Sequence, residues 1–319
     1  MATLTPNSNA RSDFWVLTTY FNPAHYKSRP RNHKTYADHM RHQNVNLCVL
    51  EQAFGDDDFE LPDEPNTVRM RGRSVLWPKE RMLNHALTLL PAECKYVAWV
   101  DGDVLFPDDT WVDQAVAKFE AGADILQLFE QVKHLPPGHD KYQGDTIMTE
   151  RGLVWQSKSY PDFISLRRQN KILYATTGFA WAGRREMFER AGGFYDKHVL
   201  GANDNVIIDC CLDTFQLHHY YRAGQGTPML ADMMDWARNR FGTGHKADYL
   251  PLSLYHLFHG AKKNRGYLSR EDILKKHNYD PRTDIKLENN VYEWASDKAE
   301  LHQDVKNYFG GRREDSDEL

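Results

Sequence analysis

A chain of 319 residues with 41% apolar and 12% aromatic residues can bury a substantial core, in one large domain or two small ones, and falls outside the disordered class. Its 40 basic and 45 acidic side chains leave a formal charge of −5, which argues against a broad nucleic-acid-binding face. MATLTPNSNARSD lacks the apolar core of a secretory signal and no run approaches the ~18 apolar residues of a membrane span, so a cytoplasmic protein without membrane insertion is expected.

FWVLTTYFNP, from Phe14, reads as a buried strand ending in a Pro-containing loop, as a first parallel strand would. HKTYADHMRHQN follows with helical spacing, NVNLCVLEQAFG as a second strand, and the acidic DDDFELPDEPN as a loop. WPKERMLNHALTLLP predicts a helix with Pro78 in its first turn and Pro91 at its stop. KYVAWVDGDVLF predicts the next strand, DTWVDQAVAKFEAGA a helix capped near Asp109, and ADILQLFEQV another strand. Strands alternating with helices imply a mostly parallel sheet with helices on both faces. Further on, YATTGFAWAGRREMFERAGGFYD combines a Gly-rich strand with a helix over Arg184 to Ala191 closed by Gly192-Gly193, and GANDNVIIDCCLDTF starts a helix at Asn203 or Asp204. LSLYHLFHGAKKNRGYLSRED ends in a basic segment, and the remainder reads as helical up to the acidic GRREDSDEL. Its closing SDEL has the form of a retrieval signal but is read as the end of a solvated tail. The cysteines Cys48, Cys94, Cys210 and Cys211 show no metal-ligand spacing, and the adjacent pair reads as small buried apolar residues.

The apolar VAWV runs directly into Asp101-Gly102-Asp103. Ligands of open parallel sheets sit beyond the carboxyl ends of the strands, and a glycine there permits a turn and close approach. Two carboxylates so near repel unless a cation or donors neutralise them, and hard oxygen ligands suit Mg²⁺ or Mn²⁺ carried with a diphosphate. A pair of turn or capping aspartates is the plainer alternative. Asp108 and Asp109 read as helix caps.

On these pieces, in this order, the chain resembles the glycosyltransferases of the GT-A fold, over residues 14–270. WPKERMLNHAL resembles the family's helix before the metal strand, VAWVDGDVLF its D-x-D strand, GFAWAGRREMFERAGGFYD its sugar and acceptor pocket, GANDN its acidic acceptor-site motif, and HLFHG its late metal-binding histidine. The resemblance implies an α/β nucleotide-diphospho-sugar transferase fold, with a mostly parallel central sheet, helices on both faces and a helical C-terminal extension. The expected divisions are a flexible N-terminus (1–12), the transferase domain (13–260), a helical extension (261–309) and an acidic disordered tail (310–319).

It further implies a metal-dependent transfer from a nucleotide-diphosphate sugar, UDP by the family's habit, to a hydroxyl acceptor. Asp103 is the expected direct ligand. Asp101 shares the ion or binds the ribose, with Gly102 between them, and His259, ahead of Gly260, closes the Mn²⁺ or Mg²⁺ site in preference to His256. Asp204 is the candidate base, since an inverting displacement at a sugar C1 needs a carboxylate for the acceptor's proton; capping of its own helix is the alternative. Arg81 is expected on the nucleotide or its diphosphate, in preference to Lys79, and Lys262 on the diphosphate. Thr18, Thr19 and Tyr20 are expected at the nucleoside, with Tyr20 able to stack on the base. Gly178, Trp181 and Asn203 are expected at the sugar and acceptor pocket, Trp181 reading equally as core. A retaining enzyme and a non-catalytic nucleotide-sugar-binding protein remain open. Nucleotidyl transfer would call for a Gly-rich phosphate loop, which TTYFNP does not offer. The acceptor is a glycan, a small molecule, a protein or a modified DNA base, the last requiring a basic channel drawn from KSRPRNHK, RMRGR or GAKKNRGYLSR.

Overall fold

In the computed structural model β1 (Phe14–Phe21) is buried at all but one position, as a strand covered on both faces must be. Residues 4–169, 175–201, 203–214, 225–267 and 269–318 are described. The strand pairs in parallel with β2 (Asn46–Phe54), which pairs with β3 (Thr67–Gly72), and on its other side with β4 (Tyr96–Val100). Side-chain alternation along β1 feeds two cores. Trp15 and Leu17 pack with Met82, Leu83 and Ala86 of α2 (Lys79–Leu89). Phe14 and Val16 pack with Tyr36 and Met40 of α1 (Ser28–His42) and with Trp111, Ala115 and Phe119 of α3 (Trp111–Glu120). The protein is thus α/β, with a large central sheet flanked by helices, as expected.

The central sheet has seven strands, continuing beyond β4 through β10 (Ala180–Arg184) and β6 (Ile125–Gln127) to β11 (Ala247–Tyr249). β10, the GFAWAG segment, runs antiparallel between β4 and β6. A second sheet went unseen in the sequence. It orders β5 (Val104–Leu105), β12 (Ser253–His256), β7 (Gln131–His134), β8 (Met148–Gly152) and β9 (Ala175–Thr176). Two single-strand expectations are corrected accordingly. The 95–106 stretch divides into β4 and β5, and the 123–132 stretch divides between β6 and the start of β7. In the first case the Asp101-Gly102-Asp103 turn, with Val104 N–H donating to the Asp101 carbonyl at 3.3 Å, carries the chain from one sheet to the other.

Helices α4 (Leu153–Ser159) and α5 (Phe163–Arg168) follow β8. α6 (Arg185–Ala191) ends at Gly192 with φ of 75°, the left-handed cap that the Gly-Gly pair implied. α7 (Asn203–Leu212) and α8 (Pro228–Asp235) come next, the latter capped by the Thr227 side chain accepting from Leu230 N–H at 3.2 Å. α9 (Arg270–Lys276) and α10 (Ala299–Gly311) belong to the expected helical extension, which also holds a hairpin of β13 (Ile285–Glu288) and β14 (Val291–Trp294). All four cysteines are free and buried. Among the described residues no helix is long and apolar enough to cross a membrane.

Both terminal expectations give way to packing. Leu4 is buried, and Thr5 and Asn7 donate backbone N–H groups to Asn66 and Asn46. The segment expected as a solvated tail is docked: Arg312 and Glu314 are buried, and Asp315 accepts from the N–H groups of Lys27 and Ser28 at 2.8 Å, the start of α1.

Candidate functional site

The ends of β4 and β12 open on a cavity of about 620 Å³. Asp101, Gly102 and Asp103 line it, joined by Thr19, Lys79, Gly178, Asp204, His259 and Lys262 from the expected or weighed residues. The turn is pinned by Asp101 N–H donating to the Phe179 carbonyl at 2.8 Å. Phe179 supplies that carbonyl with φ of 77°, a left-handed conformation that costs a non-glycine residue about 1–3 kcal/mol. Gly102 serves by being small: a Cβ there would stand 3.2 Å from His33 Cδ2 and 3.4 Å from Thr18 Cγ2.

Asp103 sits against two imidazoles. Its Oδ2 is 3.0 Å from His259 Nε2, its Oδ1 is 3.8 Å from His256 Nε2, and the three groups offer donor atoms all within 4.8 Å of one another. Burial alone would raise the Asp103 carboxyl, but His256, His259 and Arg29 hold it well below the usual carboxylate range. Burial likewise drives His256 well below an ordinary imidazole, with Asp103 opposing.

A hydrogen-bond network continues from these imidazoles. Glu150 accepts from Lys262 through one oxygen and from His134 Nε2, at 2.9 Å, through the other. Burial keeps His134 below its ordinary range, so with its one proton on Nε2 its Nδ1 must accept, and the partner at 3.1 Å is His256 Nδ1. His256 Nε2 is left as a lone pair. His259 Nε2 stands between Arg265 Nη2, which only donates, at 3.1 Å and Asp103 Oδ2 at 3.0 Å. The two Nε2 atoms face each other at 3.2 Å beside Asp103, whose Oδ1 is buried without a hydrogen-bond partner. One carboxylate and two imidazoles whose donor atoms converge in this way fit a divalent cation.

Beside this cluster, Lys79 Nζ donates to Asp101 at 2.8 Å and lies 3.7 Å from Asp204 in the first turn of α7. Burial lowers the Lys79 ammonium, but Asp101 and Asp204 more than reverse this and hold it above its ordinary value. Asp204 is raised, first by burial and then by Asp101, with Lys79 opposing. Glu80, the next residue on α2, is buried and pushed up to about 7, Lys79 only partly offsetting the burial.

That last value makes a stability prediction. The folded chain keeps the Glu80 proton up to about pH 7, whereas an unfolded chain releases it near 4.5, so folding takes up a proton between these values. Stability therefore falls as pH rises through that window and levels off above it. In Glu80→Gln this decline, about 3 kcal/mol at most, should disappear from urea-melt profiles taken between those limits.

Several expected residues stand elsewhere. Thr18 is fully buried with its hydroxyl 2.5 Å from that of Tyr36, and Tyr20 points to the same face, bonding Glu60 and meeting the His33 ring edge-on; only Thr19, on the opposite face, reaches the cavity. Arg81 pairs with Asp196 at 3.1 Å in a separate hollow, and Lys79 occupies the place expected of it. Trp181 is core, stacked on Trp99 with Nε1 donating to the Thr177 carbonyl at 2.8 Å. Asn203 is buried, while Asp204 and Asn205 line the cavity. Asp101 is engaged by Lys79, and the third donor of the cluster is His256. Among the basic segments, Arg29 pairs with Glu314, Lys34 with Asp38 and Arg73 with Glu288, and Arg69 and Arg71 donate to backbone carbonyls; Lys262, Lys263 and Arg265 line the cavity.

The sequence reading missed His134 and Glu150. An alternation of polar groups in QVKH and MTERG, each facing one side of a strand, was the available signal.

No family model and no curated protein matches the chain. Solved structures similar to it include Drosophila β1,4-galactosyltransferase 7 in complex with manganese, UDP-Gal and xylobiose (13% identity, 63% of this chain and 61% of that one, TM-score 0.33). Residues 1–349 of S. aureus TarS in complex with UDP-GlcNAc are similar at 16% identity, 82% and 65% coverage and TM-score 0.39. The 4-diphosphocytidyl-2C-methyl-D-erythritol synthase of Anaerococcus prevotii is similar at 11% identity, 83% and 97% coverage and TM-score 0.35. The chain spans 61% and 65% of the length of the first two. These are likenesses of general layout; the chemistry is read from the site itself.

Proposed function

We propose that the chain is a metal-dependent glycosyltransferase of the GT-A type, moving a sugar from a nucleotide-diphosphate donor, UDP in the first instance, to a hydroxyl acceptor. The observation that carries this reading is the convergent Asp103–His256–His259 cluster on the wall of a cavity whose about 620 Å³ suits a ligand of nucleotide-sugar size. Asp103, His256 and His259 would hold the cation, and two imidazoles among three donors favour Mn²⁺ over Mg²⁺. When bound, the ion supplies Lewis-acid stabilisation to a departing diphosphate.

The remaining chemistry belongs to the chain. Lys262, Lys263 and Arg265 line the same cavity and provide positive charge for a diphosphate. Thr19 at the end of β1 and Trp77 offer a wall for the nucleoside. The acceptor oxygen attacks the sugar C1, the bond from C1 to the diphosphate oxygen breaks, and the acceptor's proton passes to Asp204. Burial and Asp101 raise this carboxyl toward a base of useful strength, and Lys79 limits the rise. A base that takes the proton from an acceptor attacking opposite the departing diphosphate makes inversion the expected outcome.

A nucleotide-sugar panel tests the reading. Mn²⁺ should support release of nucleoside diphosphate from at least one UDP-sugar, Mg²⁺ should serve less well, and a chelator should stop it. Silence across the panel with every divalent ion, or turnover in chelator, would remove it. Turnover of other substrates with Zn²⁺ or Fe²⁺ alone would instead favour a different use of the same two-histidine, one-carboxylate set.

A further inference from the structure

His259 presents Nε2 to Asp103 and Arg265, which leaves Nδ1 turned the other way, buried and without a hydrogen-bond partner. The group facing that nitrogen is the carboxylate of Glu314, its Oε2 at 3.4 Å. Glu314 is 1% exposed and comes from the segment after α10, far along the chain from every other member of the site.

This segment is built against the histidine. Arg312 Nε donates to Glu314 Oε1 at 2.6 Å, Arg29 Nη2 donates to the same oxygen at 2.9 Å, and Arg29 Nε donates to the other. Arg313 N–H donates to the Tyr26 hydroxyl at 2.9 Å, and Asp315 caps α1 through Lys27 and Ser28. Gly260 has φ of 80°, and a Cβ there would stand 2.6 Å from the Arg313 carbonyl oxygen and 2.9 Å from Glu314 Cα. The residue after His259 therefore has to be glycine for Glu314 to arrive. Arg312 also lies over the Trp77 ring, 5.4 Å from its centroid, so the same segment forms part of the cavity wall.

We infer that Glu314 is a positioning residue for His259: its carboxylate faces Nδ1 and holds the ring proton there, keeps the Nε2 lone pair aimed at Asp103 and His256, and makes the segment Arg312–Asp315 part of the metal centre. The inference rests on the reading of Asp103, His256 and His259 as that centre. A carboxylate behind a ligating imidazole fixes its tautomer and ring orientation, and losing such a partner costs 10–100-fold in metal affinity.

The test is Mn²⁺ binding to the full chain by calorimetry, together with ring ¹⁵N spectra of His259 in the wild type. Glu314→Gln should bind Mn²⁺ about 10–100-fold more weakly. Asp315→Asn, which loosens the same segment at α1 without touching His259, should stay near the wild type. The wild-type spectrum should show the His259 proton on Nδ1. Wild-type affinity in Glu314→Gln, equal losses in Glu314→Gln and Asp315→Asn, or a proton on Nε2 would each overturn the inference. The wild-type spectrum decides even if Glu314→Gln fails to fold. His259→Ala separates the two levels. If it loses Mn²⁺ while Glu314→Gln does not, Glu314 alone is misread; if it binds as the wild type does, the metal-centre reading falls and takes this inference with it.

Discussion

Asp103→Ala should abolish Mn²⁺ binding and lower metal-dependent donor turnover by on the order of 10³-fold or more, the several kcal/mol that a catalytic cation supplies. Asp103 is the one carboxylate of the cluster, and without it two imidazoles remain to face a dication. Asp103 is a buried carboxylate whose charge His256, His259 and Arg29 stabilise, so its removal also lowers the stability of the metal-free chain, and each variant's metal effect is read against its own metal-free melt. Thermal melts separate the two effects. The wild type should gain about 2.7 kcal/mol of stability at a hundredfold excess of Mn²⁺ over Kd, and Asp103→Ala should gain none. Undiminished turnover in the variant would remove the cation from the mechanism.

Asp204→Asn should lower kcat by about 10²–10⁴-fold while leaving Mn²⁺ affinity and the donor KM close to wild type. The carboxylate lies outside the three-donor cluster, and its replacement keeps the shape of the α7 terminus and the Lys79–Asp101 pair at 2.8 Å. Asparagine cannot take a proton from an acceptor hydroxyl. It also escapes the burial that raises Asp204, so the variant should melt no lower than the wild type. The anomeric configuration of the product, followed by NMR, gives the complementary measurement, inversion being expected. A variant that keeps its kcat, or one that loses donor binding in step with kcat, would assign Asp204 to binding.

The donors of the cluster were unequally legible. Asp103 stands two residues past an apolar run that stops at Asp101, and it and His259, ahead of Gly260, are expected as ligands through the resemblance of VAWVDGDVLF and HLFHG to a family pattern. The function of that glycine is tertiary, however, since it clears room for Arg313 and Glu314. Asp101 was read as a co-ligand because an isolated D-x-D does not say which way each carboxylate turns; Lys79 claims it across 22 positions of sequence. Thr18 and Tyr20 were separable from Thr19 by strand alternation alone, and that signal went unused. Arg81 and Lys79 share the first turn of one helix, and the choice between them rests on Asp196, 115 positions away.

β1, α1, β2, α2, β4 and α3, the two-sided burial of β1, the glycine stop of α6 and the carboxylates at a strand end are all written in short windows, because apolar periodicity, helix caps and turn residues act over a few neighbours, whereas β3 and the break between β4 and β5 are not. The second sheet is different. QVKH, MTERG and SLYH carry no apolar run that marks them as strands, and they become one only when pairing across more than a hundred positions stacks them. That stacking puts His134 against His256, and the docking of residues 312–315 on α1 puts Glu314 against His259. The setting of the two imidazoles thus depends on a hydrogen bond between residues 122 positions apart and on a charge from the far end of the chain, and distances of that kind are set by packing of the whole fold.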